Sequence, residues 1–169
     1  GGFDYAYGGK SKGITITKDG GYKSKAALNI KLDPSEYSGA SVCLYNETFD
    51  LNKFMLDSKL EFMIKGKKGG EAVKVGLLDE EVSDGKKTQV VLPMNKYIQG
   101  GAVTTDWKKV SIPLVDFPDR GLYWDNTRKS EFPARIDWDK IAEIRFSIDK
   151  SGASDFEIWV DNIEIVKGN

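Results

Sequence analysis

Short stretches in which apolar and polar residues alternate run along most of the chain, separated by turns rich in Gly, Asp and Asn. Alternation with a period of two is typical of β-strands that bury one face. The pattern predicts about nine strands, at residues 13–17, 25–32, 40–45, 59–65, 72–79, 88–93, 108–114, 141–149 and 156–166. Because almost no stretch has the period of a helix, we expect an all-β fold, an antiparallel β-sandwich of the jelly-roll type.

Two segments depart from this pattern. The last strand is apolar at even positions up to Val160 and at odd positions from Ile163, so its phase slips by one residue at Asp161-Asn162. A β-bulge absorbs such a slip. The second segment, residues 115–139, has no strand pattern over about 25 residues. Long loops without secondary structure are uncommon in compact domains and often carry function.

The composition excludes several kinds of chemistry. The 169 residues include no histidine and a single cysteine, Cys43, which removes imidazole catalysis, internal disulfides and thiolate zinc sites. The 25 basic and 26 acidic residues are interspersed, so we expect neither nucleic acid nor a membrane as partner. The length suits one domain with its own core, and we expect residues 1–169 to form a single module. Whether Gly1-Gly2 come from an expression vector is left open.

Three segments carry a family resemblance. Residues 107–114, Trp-Lys-Lys-Val-Ser-Ile-Pro-Leu, match a Trp-Lys-x-aliphatic-x-Ile-Pro-Phe strand, and residues 158–163, Ile-Trp-Val-Asp-Asn-Ile, match a closing Val-Val-Asp-Asn-Ile strand. Residues 117–123, Phe-Pro-Asp-Arg-Gly-Leu-Tyr, resemble a Phe-Arg-Arg-Arg-Leu-Asp-Tyr loop. With these segments the chain resembles the family 11 carbohydrate-binding modules, which are glucan-binding jelly rolls attached to bacterial plant-cell-wall hydrolases.

The resemblance implies a set of sugar-binding residues. The loop match implies that Arg120 and Tyr123 contact glucan, and the Tyr-x-Gly match at residues 37–39 assigns Tyr37 as a second binding tyrosine. Tyr7, ahead of Gly8-Gly9, corresponds to a third. The chain departs from the family at Ile148, where the family has a fourth binding aromatic, and at Ser35, where it has a binding Asp.

The residue pattern adds further candidates to this surface. Flat aromatic rings stack on the apolar faces of sugars, and charged side chains hydrogen-bond to hydroxyl groups. On that basis we add Trp124 and also Glu36, the acid next to Ser35. We further add Arg145 and Asp149, which share the polar face of one strand. The alternatives left open are that the aromatic residues pack against the protein and that the polar strand face is only solvated.

Asp161, at the phase slip, is a candidate ligand of a structural Ca²⁺, because this ion prefers carboxylate and carbonyl oxygens. Partners would come from Asp4, from Asp33 or from carbonyl groups near residues 23–26. Asp4 belongs to what remains here of a calcium-binding segment in the resembled family. The alternative is that Asp161 only stabilises a bulge or pairs with a lysine.

The other tryptophans receive no ligand role. Trp107 and Trp138 are expected to cap the core at strand starts. Trp159 shares a side with Glu157, off the core register.

These observations lead to a non-catalytic module as the preferred function. We expect it to capture β-1,4 or mixed β-1,3/1,4 glucan in a shallow groove and to target a covalently linked glycoside hydrolase to polysaccharide. The resemblance implies a secreted or cell-surface location. A carboxylate glycosidase on a jelly roll and a protein-interaction sandwich remain the alternatives.

Overall fold

The computed structural model describes residues 3–7 (backbone alone), 13–43, 47–80, 86–151 and 155–168. These residues form twelve strands: β1 (Phe3–Tyr7), β2 (Gly13–Thr17), β3 (Ala27–Leu32), β4 (Ser38–Cys43), β5 (Ser58–Gly66), β6 (Lys74–Asp79), β7 (Thr88–Pro93), β8 (Lys108–Pro113), β9 (Arg120–Asp125), β10 (Ser130–Arg135), β11 (Ile141–Ile148) and β12 (Phe156–Lys167). Short 3-10 turns at 52–54, 94–96, 114–116 and 138–140 are the only helical segments in these ranges. None of them could cross a membrane.

The strands form two sheets that we call sheet A and sheet B. Sheet A has the order β1-β4-β11-β6-β7-β9-β10, and sheet B has the order β2-β3-β12-β5-β8. The pairings between described strands are antiparallel. The chain crosses repeatedly from one sheet to the other, and the predicted all-β jelly-roll sandwich is confirmed.

The core fills the space between the sheets with the inward residues of both. In sheet B, Leu60, Phe62 and Ile64 alternate along β5 and are fully buried. Phe62 meets Phe146 of sheet A edge to face, with 5.5 Å between ring centroids. Burying a large apolar side chain of this kind contributes about 1.5–3 kcal/mol, so this alternation holds the two layers together.

The nine predicted strands are all present, with shifts of at most two residues at their ends. Three strands were not predicted: β1, β9 and β10. The last two form a hairpin within 115–139, so the prediction of a strandless loop there was wrong. The hairpin lacks the usual signal because exposed Leu122 and Trp124 give β9 an apolar solvent side, and Pro133 interrupts β10. β10 is an edge strand, where proline removes no required hydrogen bond.

The predicted bulge in the last strand is confirmed. The register of β12 against β5 shifts between Asp161 and Glu164, and Asn162 has a φ of 51°, in the left-handed region that Asn tolerates best after Gly. The bulge lets Val160 and Ile165 both face the core side, where they pair with Ile64 and Leu60.

Asp79, the last residue of β6, connects three elements through its buried carboxylate. One oxygen accepts the backbone N–H of Thr88 at 2.6 Å, and the other accepts that of Asp137 at 3.0 Å. Burial raises the pKa of Asp79 above 3.8, although these hydrogen bonds oppose the effect. Because the folded protein holds the proton more tightly than the unfolded chain, the stability from this group falls as pH rises through its native pKa.

We expect Asp79→Ala to lower the free energy of unfolding by about 2–4 kcal/mol, because it leaves two buried N–H donors without their acceptor. Urea denaturation measures this loss, and Glu80→Ala, at the exposed neighbouring position, is the control. The loss should be larger at about pH 4 than at about pH 7. A loss equal to that of Glu80→Ala would show that the carboxylate does not organise this corner.

Candidate functional site

The outward face of sheet A can be traced through the strand register, because directly paired residues lie on the same face. Arg145 of β11 pairs with Gly76 of β6, and Gly76 pairs with Val91 of β7. Two residues away along β7, Gln89 pairs with Leu122 of β9. Gly76 has no side chain, and Val91 and Arg145 close over it, since a Cβ atom there would lie 3.4 Å from Val91 Cγ2 and 3.7 Å from Arg145 Cβ.

The apolar part of this face is exposed at the β7–β9–β10 side of the sheet. Trp124 is 50% exposed and Leu122 is 40% exposed, and both stand on the side of β9 that continues the Gln89 row. Exposed aromatic and aliphatic groups next to hydrogen-bonding side chains are typical of ligand-binding surfaces. We call the surface formed by Arg145, Gln89, Val91, Leu122 and Trp124 the sheet A platform.

Gly121 allows β9 to approach β7 closely enough to build this platform. A Cβ atom at this position would lie 1.8 Å from the carbonyl oxygen of Gln89, a distance that no side chain can accept. Only glycine therefore allows β9 to lie against Gln89 and to present Leu122 and Trp124 beside it.

A charged network fixes the polar part of the platform. The Arg145 guanidinium donates to Ser41 Oγ at 2.9 Å and to Gln89 Oε1 at 2.5 Å, and it lies 3.4 Å from the Glu143 carboxylate. Lys87 Nζ donates to Glu143 from the other side at 2.5 Å. The Glu143 side chain is fully buried, and a buried carboxylate of this kind requires its partners. The network therefore holds the guanidinium plane in one orientation beside Gln89.

The structure separates the two residues that the loop resemblance assigned together. Arg120 and Trp124 lie on one side of β9, whereas Tyr123 lies on the other, opposite the buried Thr88. The Tyr123 ring stacks on Phe132 at 5.7 Å, and Lys86 Nζ lies 5.1 Å from its centroid. Successive residues of a strand point to opposite faces, so Arg120 and Tyr123 cannot stand on one platform as expected.

The remaining predicted residues lie toward the other end of the same sheet. Asp149 follows β11 and forms an ion pair with Lys74 at 2.6 Å. Tyr37, 39% exposed, precedes the Ser38–Ile148 pair, so the register brings it beside Asp149, and Glu36 is exposed in the preceding turn. Tyr7 ends β1 opposite Gly39, and its side chain lies outside the described residues.

A cleft opens at this second end, with a volume of about 840 Å³. Apolar residues from between the sheets line its base, among them Val73, Met94 and Phe156. Lys74 and Asp149 lie on its rim and also on the outward side of sheet A. The cleft therefore meets the outward face of sheet A at Lys74 and Asp149.

Sequence reasoning missed Gln89, Val91, Leu122 and Lys87. The first two had a signal, because the predicted strand 88–93 alternates and puts them opposite Val90 and Leu92. Leu122 and Lys87 had none, since their place on the platform depends on the unpredicted β7–β9 pairing.

The surroundings of Asp161 fit a metal ion only in part. Its carboxylate accepts hydrogen bonds from the Tyr22 and Asn162 backbone N–H groups and from the Ser24 hydroxyl, each at 2.8 Å. The Ser24 hydroxyl also lies 2.8 Å from Ala26 O. These groups bring three oxygen-bearing residues together, fewer than the six to eight ligands of Ca²⁺, and no cluster of three acidic residues occurs in the described part of the chain.

The two other proposed calcium partners contribute nothing observable here. Asp33 follows Leu32, at the opposite end of β3 from Asp161, so the expectation that it shares an ion with Asp161 was wrong. Asp4 pairs with Val42 in sheet A, and its side chain lies outside the described residues. Calcium therefore stays a prediction.

We expect Asp161→Ala to lower the free energy of unfolding by about 1–3 kcal/mol, because the loop at 18–26 loses its anchor. Thermal melts with and without EDTA separate the two roles of the carboxylate. A melting temperature that EDTA lowers in the wild type, but not in the variant, indicates calcium. If EDTA does not change the melting temperature of the wild type, the stability lost in Asp161→Ala comes from the hydrogen bonds alone.

A two-sheet β-sandwich that carries an exposed tryptophan and a hydrogen-bonded guanidinium on the same outward face has the features of a carbohydrate-binding module. The family model for carbohydrate binding domain 30 matches residues 4–167. The chain therefore belongs to carbohydrate-binding family 30, and it is a non-catalytic carbohydrate-binding module.

Solved structures agree with this assignment. One family 30 module is 26% identical, with a TM-score of 0.73 over 98% of this chain and 92% of its own. The family 30 module of a cellulosomal cellulase from Clostridium thermocellum is 24% identical, with a TM-score of 0.73, over 98% of this chain and 91% of its own. No curated protein sequence matches the chain.

The family 11 resemblance identified the class of module but not the family. The family 11 module from Clostridium thermocellum, solved with a β-1,3-1,4-mixed-linked tetrasaccharide, has a TM-score of 0.67. It is 16% identical, over 99% of this chain and 89% of its own. Similarity at this level reflects the shared fold, and the family-model match is to family 30.

Proposed function

We propose that this module binds β-1,4 or mixed β-1,3/1,4 glucan chains on the sheet A platform. The observation that carries the proposal is the exposed Trp124 indole on the same outward face as the hydrogen-bonded Gln89–Arg145 pair. The mixed-linkage tetrasaccharide bound by the family 11 module and the cellulosomal source of a family 30 module support glucan as the ligand class.

Two kinds of contact would hold the sugar. Trp124 and Leu122 offer apolar surface to the C–H face of a pyranose ring, and stacking of this type needs no bending of the protein. Gln89 and Arg145 offer hydrogen-bonding groups at the ring edge, held in place by Ser41 and Glu143. Because these side chains are already positioned, little conformational entropy is lost on binding.

The remaining predicted residues would extend this contact along the chain. The outward face continues from Trp124 to Asp149, Tyr37 and the end cleft, so a longer oligosaccharide would reach further groups. Tyr7, Arg120 and Glu36 remain candidates for contacts on this face, whereas Tyr123 lies on the opposite side of β9. A shallow site of this type gives micromolar to sub-millimolar affinity, about 4–8 kcal/mol.

The biological role would be to concentrate a linked enzyme on its substrate. We propose that the module is joined in its parent protein to a glycoside hydrolase that acts on plant polysaccharide. Tethering raises the effective concentration of the enzyme on the polymer without any new contact. A secreted or cell-surface location follows from this role, and the similarity to a module of a cellulosomal cellulase supports it.

Trp124→Ala tests the platform directly. We expect its retardation by barley β-glucan in native affinity gels to fall at least about fivefold, since stacking on one aromatic ring contributes about 0.5–1.5 kcal/mol beyond its buried area. The melting temperature should not change, because the side chain is half exposed. Leu56→Ala, at an exposed position outside the platform, is the control.

Arg120→Ala and Tyr123→Ala, measured in the same gels, report on the two sides of β9. Loss in Arg120→Ala alone supports binding on the outward side. Unchanged retardation of Trp124→Ala rules out the platform. If the wild-type module binds another protein but is not retarded by glucan, the interaction-domain alternative is favoured.

A further inference from the structure

The outward face of sheet B carries an aromatic row of its own. Trp159 of β12 pairs with Lys65 of β5 and with Asn29 of β3. Trp107 immediately precedes β8, whose Lys108 pairs with Ile64, so Trp107 stands next to Lys65. Trp107, Lys65 and Trp159 therefore form a line across three strands, and both indoles are half-buried. The expectation that Trp107 caps the core was wrong, whereas Trp138 is buried with the core residues.

Lys65 lies between the two indole rings. Its Nζ is 5.0 Å from the Trp107 ring centroid and 5.3 Å from the Trp159 ring centroid. The structure shows no carboxylate within ion-pair distance of this ammonium among the described residues. A cation over aromatic faces is stabilised by the rings, but it keeps N–H donors that a ligand can use.

The carboxylate of Glu157, on the same face of β12 as Trp159, is already paired with other lysines. Lys31 and Lys67 contact Glu157 at 3.1 Å and 3.3 Å, and Asn29 donates to it at 3.1 Å. Burial alone would raise the pKa of Glu157, but the hydrogen bonds from Lys31, Asn29 and Lys67 outweigh it, and the pKa is lowered. Glu157 therefore stays ionised and paired, and Lys65 has no ion-pair partner among the described residues.

A loop closes one side of this row. The Tyr22 ring meets Trp107 edge to face at 6.1 Å, and the Tyr22 backbone N–H is anchored by Asp161. Lys23 Nζ lies 5.1 Å from the Tyr22 ring centroid and adds a second cation beside the aromatic groups. The row therefore has an aromatic floor, a fixed wall and a positive charge at its centre.

We propose that this row, formed by Tyr22, Lys65, Trp107 and Trp159, is a second glycan-binding site that takes an anionic polysaccharide bearing carboxylate groups. The rings contact the C–H faces of the sugars, and a sugar carboxylate pairs with Lys65. Charge complementarity identifies the ligand class, because a neutral sugar would leave the Lys65 charge without a partner. The site is independent of the proposed glucan binding on sheet A.

The test uses native affinity gels that contain polygalacturonate, barley β-glucan or no polysaccharide. We expect polygalacturonate to retard the wild type at low salt and less at about 0.5 M salt, because screening weakens exposed charge pairs. Lys65→Met removes the charge and keeps an apolar side chain. We expect it to lose retardation by polygalacturonate about fivefold or more, since it removes a charge-assisted hydrogen bond, and to keep retardation by β-glucan.

Lys59→Met is the matched control. Lys59 lies on the same face of the same strand, opposite Pro113 and Val166, so this variant has the same net charge without disturbing the row. Trp159→Leu, with its fold checked by thermal melting, tests the aromatic contribution and should also lose binding to polygalacturonate.

Three results would overturn the proposal. The first is a wild type that polygalacturonate does not retard. The second is equal loss in Lys65→Met and Lys59→Met, which means that only net charge matters. The third is loss of β-glucan binding in Lys65→Met, which means that the row belongs to the neutral-glucan site. Failure of Trp124→Ala to affect β-glucan binding would count against the platform alone.

Discussion

The burial of one face of each sheet against the other determines most of this molecule. The inward residues of β5 and β11 meet through Phe62 and Phe146, and the same alternation forces the intervening residues outward. Two outward faces therefore exist because one common core exists. The polar and aromatic groups on them are free to serve recognition, since the fold depends on their neighbours in the strand.

The two faces hold a cationic side chain in different ways. On sheet A, Arg145 is held by Ser41, Gln89 and the buried Glu143, so its orientation is set before any ligand arrives. On sheet B, the contacts of the Lys65 ammonium within the described residues are with the π-faces of Trp107 and Trp159. A guanidinium in a hydrogen-bonded frame suits the fixed geometry of sugar hydroxyls, whereas an ammonium over rings can turn toward a charge.

The sequence predicted the sandwich and its nine main strands because each of these strands alternates between buried apolar and exposed polar positions. It missed the β9–β10 hairpin, where Leu122 and Trp124 are apolar but exposed and where Pro133 breaks the pattern. That omission also affected the site. Because β9 is a strand, Arg120 and Tyr123 point to opposite faces of sheet A. Arg120 lies on the same face as Gln89 and Leu122, and Tyr123 does not. Arg145 was proposed from its residue type and its strand phase, whereas Trp124 was proposed from its residue type alone, because no strand was predicted around it.

The bulge in β12 could also be predicted from the alternation, since the apolar positions change phase at Asp161-Asn162. The segment at residues 23–26 was named as a source of carbonyl ligands for Asp161, and the structure does bring this loop, almost 140 residues earlier in the chain, to Asp161. What the sequence did not indicate is the kind of contact, because the Tyr22 backbone N–H and the Ser24 hydroxyl donate hydrogen bonds to the carboxylate. Calcium was expected from the residue type, whereas the described neighbours supply mainly hydrogen-bond donors.

The back-to-back arrangement of sheets A and B has a material consequence. Packed sheets are about 10 Å apart, so a short oligosaccharide lying on one side cannot reach around to the other. With a neutral chain on one side and an acidic chain on the other, a single domain would join two different polymers. Mixed solutions of such polymers would then thicken when the domain is added, through reversible cross-linking rather than hydrolysis.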